Sequence, residues 1–146
     1  MATRSVIFKE TTEGIVVGKY IHWDGYPSYV GRILNDSYNT DNKVNLLFSH
    51  PNYISALQEN IDDIHWGDED MEWSKPIRIL DVFAAAADSW VEWIYLYKNG
   101  QWYGTNLYLN NPHVLRTIPQ LIGLTEDDWN EDAINGTIDE LKLGLG

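Results

Sequence analysis

The sequence predicts an α+β fold in which an antiparallel sheet, built from two β-hairpins, carries helices packed on one face. Three observations lead there. Two aromatic and β-branched runs, residues 90–98 and 101–109, are joined by Asn99-Gly100, a dipeptide that accepts the positive φ angles of a tight primed turn. An earlier pair of runs, 5–9 and 15–23, brackets the polar connection Glu10-Thr11-Thr12-Glu13-Gly14. Between the hairpins, apolar residues recur at helical spacing, and a sheet with an apolar face needs such a layer to bury it.

The elements follow in order. Residues 5–9 read as a strand and 15–23 as a longer return strand. On the two-residue period of a strand, Val16, Gly18, Tyr20 and His22 share one face, while Ile15, Val17, Lys19, Ile21 and Trp23 share the other. Asp24-Gly25 favours a turn, and Pro27 pushes the residue before it out of the helical region, so the strand stops there. A helix starting at Pro27 or Ser28 carries Val30, Ile33, Leu34 and Tyr38 on one stripe. Gly31, one turn in, implies close approach of another backbone, since a mid-helix glycine otherwise costs about 1 kcal/mol relative to alanine. Thr40 caps a second helix through Val44, Leu46, Leu47 and Phe48 that ends near His50-Pro51. Ile54, Leu57 and Ile61 point to a third short helix over 52–61. Residues 77–83 fit either strand or helix, and 84–88 favours helix by propensity. After the second hairpin Asn110-Asn111-Pro112 breaks the chain, and residues 118–124 form a short apolar segment. Thr125 followed by Asp128 reads as a helix cap, and 133–146 fits a weak helix or strand.

At 146 residues and 44% hydrophobic composition the chain can bury one ordinary core, so residues 1–146 are expected to form a single domain. The formal net charge is -12, which argues against non-specific binding to nucleic acid or to an anionic membrane surface. Without cysteine there are no disulfides, thiolate metal sites or thiol nucleophiles, and a reducing cytoplasm is the expected compartment. The first residues lack the apolar core of a signal peptide, and no apolar run approaches the roughly 20 residues of a membrane span.

The stretch Tyr20-Ile21-His22-Trp23-Asp24-Gly25-Tyr26-Pro27-Ser28-Tyr29-Val30-Gly31 concentrates functional side chains where an apolar run stops. His22 and Asp24 lie two apart and would share a face in a continuing strand, although Asp24 also suits a turn or cap. Arg4, near the start of the first strand, can pair across the hairpin near His22 or Asp24. Trp23, Tyr26, Tyr29, Trp90, Trp93, Trp102 and Tyr103 are candidate stacking walls for a planar ligand, with about half of them expected in the core. Ser28 follows a proline rather than sitting in a glycine-flanked elbow, which suits a cap better than a nucleophile. His22, Asp24, His65, Asp68 and Asp70 are the metal-ligand candidates, but Asp68-Glu69-Asp70 lacks the glycine and terminal glutamate of a calcium loop, so no metal is expected. No glycine-rich phosphate loop occurs, and no cofactor is expected. Residues 59–72 hold Glu59, Asp62, Asp63, Asp68, Glu69, Asp70 and Glu72 without a Lys or Arg, the pattern of a solvated loop.

Thr3-Arg4 after a small residue, then His22-Trp23-Asp24-Gly25-Tyr26-Pro27, Gly31 and a helix ending at Tyr38-Asn39, resembles a group of small proteins found in bacteria and their phages. The run Tyr95-Leu96-Tyr97-Lys98-Asn99-Gly100-Gln101-Trp102-Tyr103 is similar to the later hairpin of the same group. The resemblance covers roughly the first 40 residues and this hairpin. It implies phage or accessory-gene biology and no particular activity, and it places a phage-encoded copy in the host cytoplasm. A fainter likeness is to N-terminal-nucleophile amidohydrolases whose chains open with Cys-Thr-Arg, but Ala2 stands at the nucleophile position here, and a methyl group cannot attack a carbonyl.

The expected function is a non-enzymatic, phage-associated binding protein that holds a small nucleotide-like ligand through Arg4, His22, Trp23, Asp24, Tyr26 and Tyr29, for instance to sequester a host defence signal. One alternative is an acidic decoy that occupies a host nucleic-acid-binding or defence protein through residues 59–72 and 125–140. Another is a hydrolase with His22 as general base oriented by Asp24. The chain is expected to bind neither nucleic acid nor membrane directly, and a homo-oligomer is compatible with each reading.

Overall fold

The turn-forming residues end the strands where their chemistry requires. The computed structural model describes residues 3–69, 73–87, 89–106 and 115–122. Strands β1 (Ser5–Thr12) and β2 (Ile15–Ile21) form the first hairpin, with Gly14 in the left-handed region at φ 78°. A π-helical turn over Pro27–Gly31 runs directly into α1 (Arg32–Ser37). Proline opens that turn because its absent N–H is not needed there and its φ is already helical. Helix α2 (Asp41–Ser49) is capped by Thr40, whose hydroxyl accepts from the Lys43 N–H at 3.3 Å. Short strands β3 (Ile54–Ala56), β4 (His65–Trp66) and β5 (Ile77–Arg78) follow, then α3 (Val82–Ala87). The second hairpin is β6 (Trp93–Lys98) and β7 (Gln101–Asn106), and β8 (Arg116–Thr117) and α4 (Ile118–Ile122) close the described chain.

Both hairpins form as expected. Asn99 at φ 51° and Gly100 at φ 78° make the primed turn between β6 and β7. The expected wholly antiparallel sheet does not. The strand order is β4-β3-β2-β1-β6-β7-β8, with β5 on the far end of β2, and two of the contacts are parallel. The hairpins meet through β1 and β6 side by side in the same direction, Val6 opposite Ile94 and Phe8 opposite Leu96, and β2 runs parallel to β3 at Ile21 and Ile54. Turn chemistry dictates pairing within a hairpin. It says nothing about how one hairpin approaches another across a long connection.

The expectation of helices on one face is also corrected, because both faces are covered. On one side Ile7, Ile21, Tyr95, Tyr97 and Trp102 pack against residues of the π-turn, α1, α2 and α4, including Val30, Leu34, Val44, Leu47 and Leu121. On the other, Val6, Phe8, Tyr20, Ile94 and Leu96 meet Ile79, Val82 and Ala86. The apolar residues of β1 and β6 alternate between these two cores, so each strand presents apolar side chains to both sides, the pattern of a sheet buried on two faces. The α+β class stands, with a mixed sheet of eight strands and four helices among the described residues.

The third helix expected over 52–61 is replaced by β3 and a 3₁₀ turn over Ile61–Asp63. Ile54 is fully buried as the parallel neighbour of Ile21, and that pairing outweighs a short apolar spacing that suits either structure. Gly31 does admit a close neighbour, though it is side chain rather than backbone: a Cβ there would lie 3.4 Å from both Ile118 and Tyr95. Glu59, Asp62, Asp63, Asp68 and Glu69 are exposed, as a solvated acidic segment should be. Asp70 and Glu72, the cap at Thr125 and Asp128, and the segments over 125–140 and 133–146 lie outside the described residues.

Candidate ligand-binding site

The candidate residues gather where β2 ends beside the start of β1. Backbone pairing continues past β2, because the N–H groups of His22 and Trp23 donate to Ile54 and Ser55 carbonyls at 3.0 and 3.1 Å. Asp24 then adopts φ 58°, a left-handed conformation that aspartate tolerates better than most residues, and the chain turns. Gly25 anchors that turn: its N–H donates to the Thr3 carbonyl at 2.8 Å, and its carbonyl accepts the buried Tyr95 hydroxyl at 2.7 Å. The turn and the first residues of β1 are therefore one tied unit.

Tyr20 and His22 form a hydrogen-bonded pair, with Tyr20 on the Val6 face of the sheet. The Tyr20 hydroxyl lies 2.8 Å from His22 Nδ1, and the Arg4 charge acts on the same phenol. Burial raises the Tyr20 phenol above its ordinary value, opposed chiefly by the Arg4 charge. Tyr53 packs on Tyr20 with ring centroids 5.6 Å apart, and the Trp23 indole stands edge-on to the His22 ring at 4.7 Å. Trp23 remains 45% exposed, so one of its surfaces is open to solvent beside the histidine. Among the described residues no carboxylate pairs with Arg4 within 4.0 Å.

Asp24 and Tyr26 make a separate pair. The Tyr26 hydroxyl donates to Asp24 Oδ1 at 3.4 Å, and the Asp24 charge is the main cause of a raised phenol there. Tyr29 turns to the opposite core, where its hydroxyl donates to the Leu57 carbonyl at 3.2 Å. The structure thus joins Tyr20 to His22, sets Trp23 against His22, links Tyr26 to Asp24, and gives Tyr29 a backbone partner on the other side of the sheet. Of the wider aromatic set, Trp102 is core rather than wall: it is 1% exposed and donates its indole N–H to the Tyr38 carbonyl.

Three residues were missed as neighbours of the candidate set. Tyr20 had a signal, since it shares the strand face of His22 two residues away. Tyr53 arrives only through the parallel β2·β3 contact. The backbone of Glu92 arrives through the parallel β1·β6 contact, where the N–H groups of Glu92 and Trp93 both donate to the Arg4 carbonyl, at 2.9 and 3.3 Å. Trp90 was expected only as a generic stacking wall, yet it is 83% exposed at φ 65°, an unusual backbone for a bulky residue.

No grouping of three or more His, Asp or Glu that could hold a metal ion occurs among the described residues, nor is any helix there long and apolar enough to cross a membrane. No family model, curated protein or solved structure matches this chain.

Proposed function

We propose that this protein is a non-enzymatic binding protein that holds a small nucleotide-like ligand at the Arg4–Tyr20–His22 chain, with Trp23 as a stacking surface and Asp24 and Tyr26 at the rim. The reading extends to a phage-associated role in which the ligand is a host defence signal and binding sequesters it.

One observation carries the proposal: the Tyr20 hydroxyl meets His22 Nδ1 at 2.8 Å, with the Trp23 indole edge-on to the same imidazole at 4.7 Å. Where the phenol donates, Nδ1 accepts its proton. In the neutral imidazole the remaining proton then sits on Nε2. Arg4 and His22 accordingly offer N–H donors to an anionic group, while the exposed Trp23 ring beside them suits a planar one. The hydrolase alternative needs Asp24 to orient His22, whereas His22 Nδ1 meets the Tyr20 hydroxyl and Asp24 is engaged with Tyr26. Thermal-shift and calorimetric titration against nucleotides and cyclic nucleotides tests the proposal. A stabilising ligand whose affinity drops at least tenfold in His22→Ala is expected, and a panel without any binder would sink it.

A second reading, the acidic decoy, is favoured by one feature. A groove lined by Asp36, Lys43, Glu59, Ile61 and the 47% exposed Leu46 has Asp62 and Asp63 exposed next to it, so carboxylates outnumber its one cation. Replacing Glu59, Asp62 and Asp63 with their amides should abolish capture of a basic host protein under this reading and leave nucleotide binding intact.

A further inference from the structure

We infer that the cavity between the C-terminal end of α2 and the open edge of β2 is a second binding site. It takes a small organic acid, one carboxylate on a flat apolar body, held by the Lys9 ammonium. This goes beyond the nucleotide reading, and of the residues proposed there only Tyr20 borders the cavity. The sheet itself makes the opening. On its outer edge β2 pairs with β5 at Ile15 and Val16 and with β3 at Ile21, and among the described residues 17–20 meet no strand on that edge. The gap holds about 440 Å³, within the range of small-ligand pockets. Phe48, Pro51 and Tyr53 wall it, and Thr11, Ser49 and Ser74 add hydroxyls. Lys9 and Lys19 line it and, among the described residues, no Asp or Glu does, in a chain of net charge -12.

The two lysines have different roles. Lys9 lies opposite Val17, and Lys19 follows two residues on along β2, so they are diagonal neighbours on one face of the hairpin. The Lys19 ammonium, on a side chain 8% exposed, donates to the His50 and Asn52 carbonyls at 2.6 and 2.8 Å. It offsets the negative end of α2 and ties that wall to the sheet. The Lys9 ammonium donates to the neutral Asn45 Oδ1 at 2.8 Å and sits 5.4 Å from the centre of the Phe48 ring. It meets no carboxylate within 4.0 Å among the described residues. An ammonium carries three donors, so Lys9 has donors left for an anion, and such a charge-assisted bond is roughly twice as strong as a neutral one. The Phe48 and Tyr53 rings suit a flat apolar body beside it. The carbonyl dipoles at the end of α2 disfavour the second charge of a phosphate monoester, which makes a carboxylate the better match.

Phenylacetate, its neutral amide phenylacetamide, and phenyl phosphate, each titrated into the full chain and followed by backbone amide NMR shifts, provide the test. Phenylacetate should move the signals of residues 17–20 and 49–53, leave those of 22–26 in place, and bind at least tenfold more tightly than phenylacetamide. Lys9→Met keeps an unbranched apolar stem and should erase that preference while phenylacetamide binding persists, and Lys9→Arg should retain it. Equal affinity for acid and amide, or a preference that survives Lys9→Met, overturns the assignment of Lys9. Tighter binding of phenyl phosphate than of phenylacetate overturns the choice of a carboxylate. Shifts confined to residues 22–26 put the acid at the other site and overturn this one. No shift with any of the three compounds also overturns it and leaves the nucleotide reading to its own titration. The comparison of acid with amide is made on the unmodified protein, so a folding defect in Lys9→Met does not decide the outcome.

Discussion

At the residue scale, several phenols do work that the ionisable residues of the candidate site do not. Tyr95 is fully buried under the Gly25 turn, and burial holds its phenol well above the ordinary value of 10.0. Tyr38 and Tyr97 are pushed up to about 12, both chiefly by burial, Tyr38 further by the Asp63 charge and Tyr97 by its hydrogen bond to Asp41. Below pH 10 the folded and unfolded chains both keep these protons. Above it the unfolded chain ionises first, so the stability these groups contribute is lost as pH climbs from 10 through about 12. Urea midpoints measured from about pH 9 to 11.5 should fall steadily, and Tyr38→Phe should make the decline shallower. A midpoint independent of pH over that range contradicts the assignment. His22 and Asp24 were legible as candidates because imidazole and carboxylate stand out in a sequence. Their partners were not, because Tyr20 looks like any strand aromatic until its hydroxyl is placed 2.8 Å from a ring nitrogen.

At the element scale, the turn after β2 decides whether the candidate residues meet at all. A Cβ built on Gly25 would lie 2.8 Å from Ser5 Cβ, Ser5 Oγ and the Thr3 carbonyl oxygen, and two of these belong to atoms at or next to the β1 backbone that cannot swing away. Gly25→Ala should therefore cost about 1–3 kcal/mol by overpacking and shift Arg4 away from His22. Chemical denaturation reads the first effect, and loss of ligand affinity beyond the loss of stability reads the second. An alanine variant as stable as the parent would show that the turn can relax. The hairpin turn at Asn99-Gly100 and the Thr40 cap were legible from local chemistry alone, because positive φ and a free N–H are satisfied by the nearest residues. The strand at 54–56 was not, since its apolar spacing fits a helix equally well and only the neighbour at Ile21 settles it.

At the scale of the whole molecule, the parallel contact between β1 and β6 makes one sheet of two hairpins. Ile7 sits at that seam, fully buried, opposite Lys19 on one side and Tyr95 on the other. Ile7→Ala should cost about 2–5 kcal/mol, the range for truncating a buried aliphatic side chain. Hydrogen exchange should then accelerate in β6 and β7 as much as in β1 and β2, because the hairpins share a core on each face. Exchange confined to the first hairpin would mean that the two fold as separate units. The seam also brings Lys98, 4% exposed, onto Glu10 across 88 positions of sequence, an ion pair that no local pattern announces.

The sequence by itself determined the hairpins, the Thr40-capped helix and the α+β class. Each of these follows from interactions between residues a few positions apart: turn dihedrals, cap hydrogen bonds and the periods of strand and helix. Only the tertiary structure decided the direction in which the hairpins meet, the second helical layer, and the company that Arg4 and His22 keep. Those depend on contacts such as Ser5 with Trp93 and Ile21 with Ile54, whose partners are distant in the chain and whose register is set by packing both faces of the sheet at once.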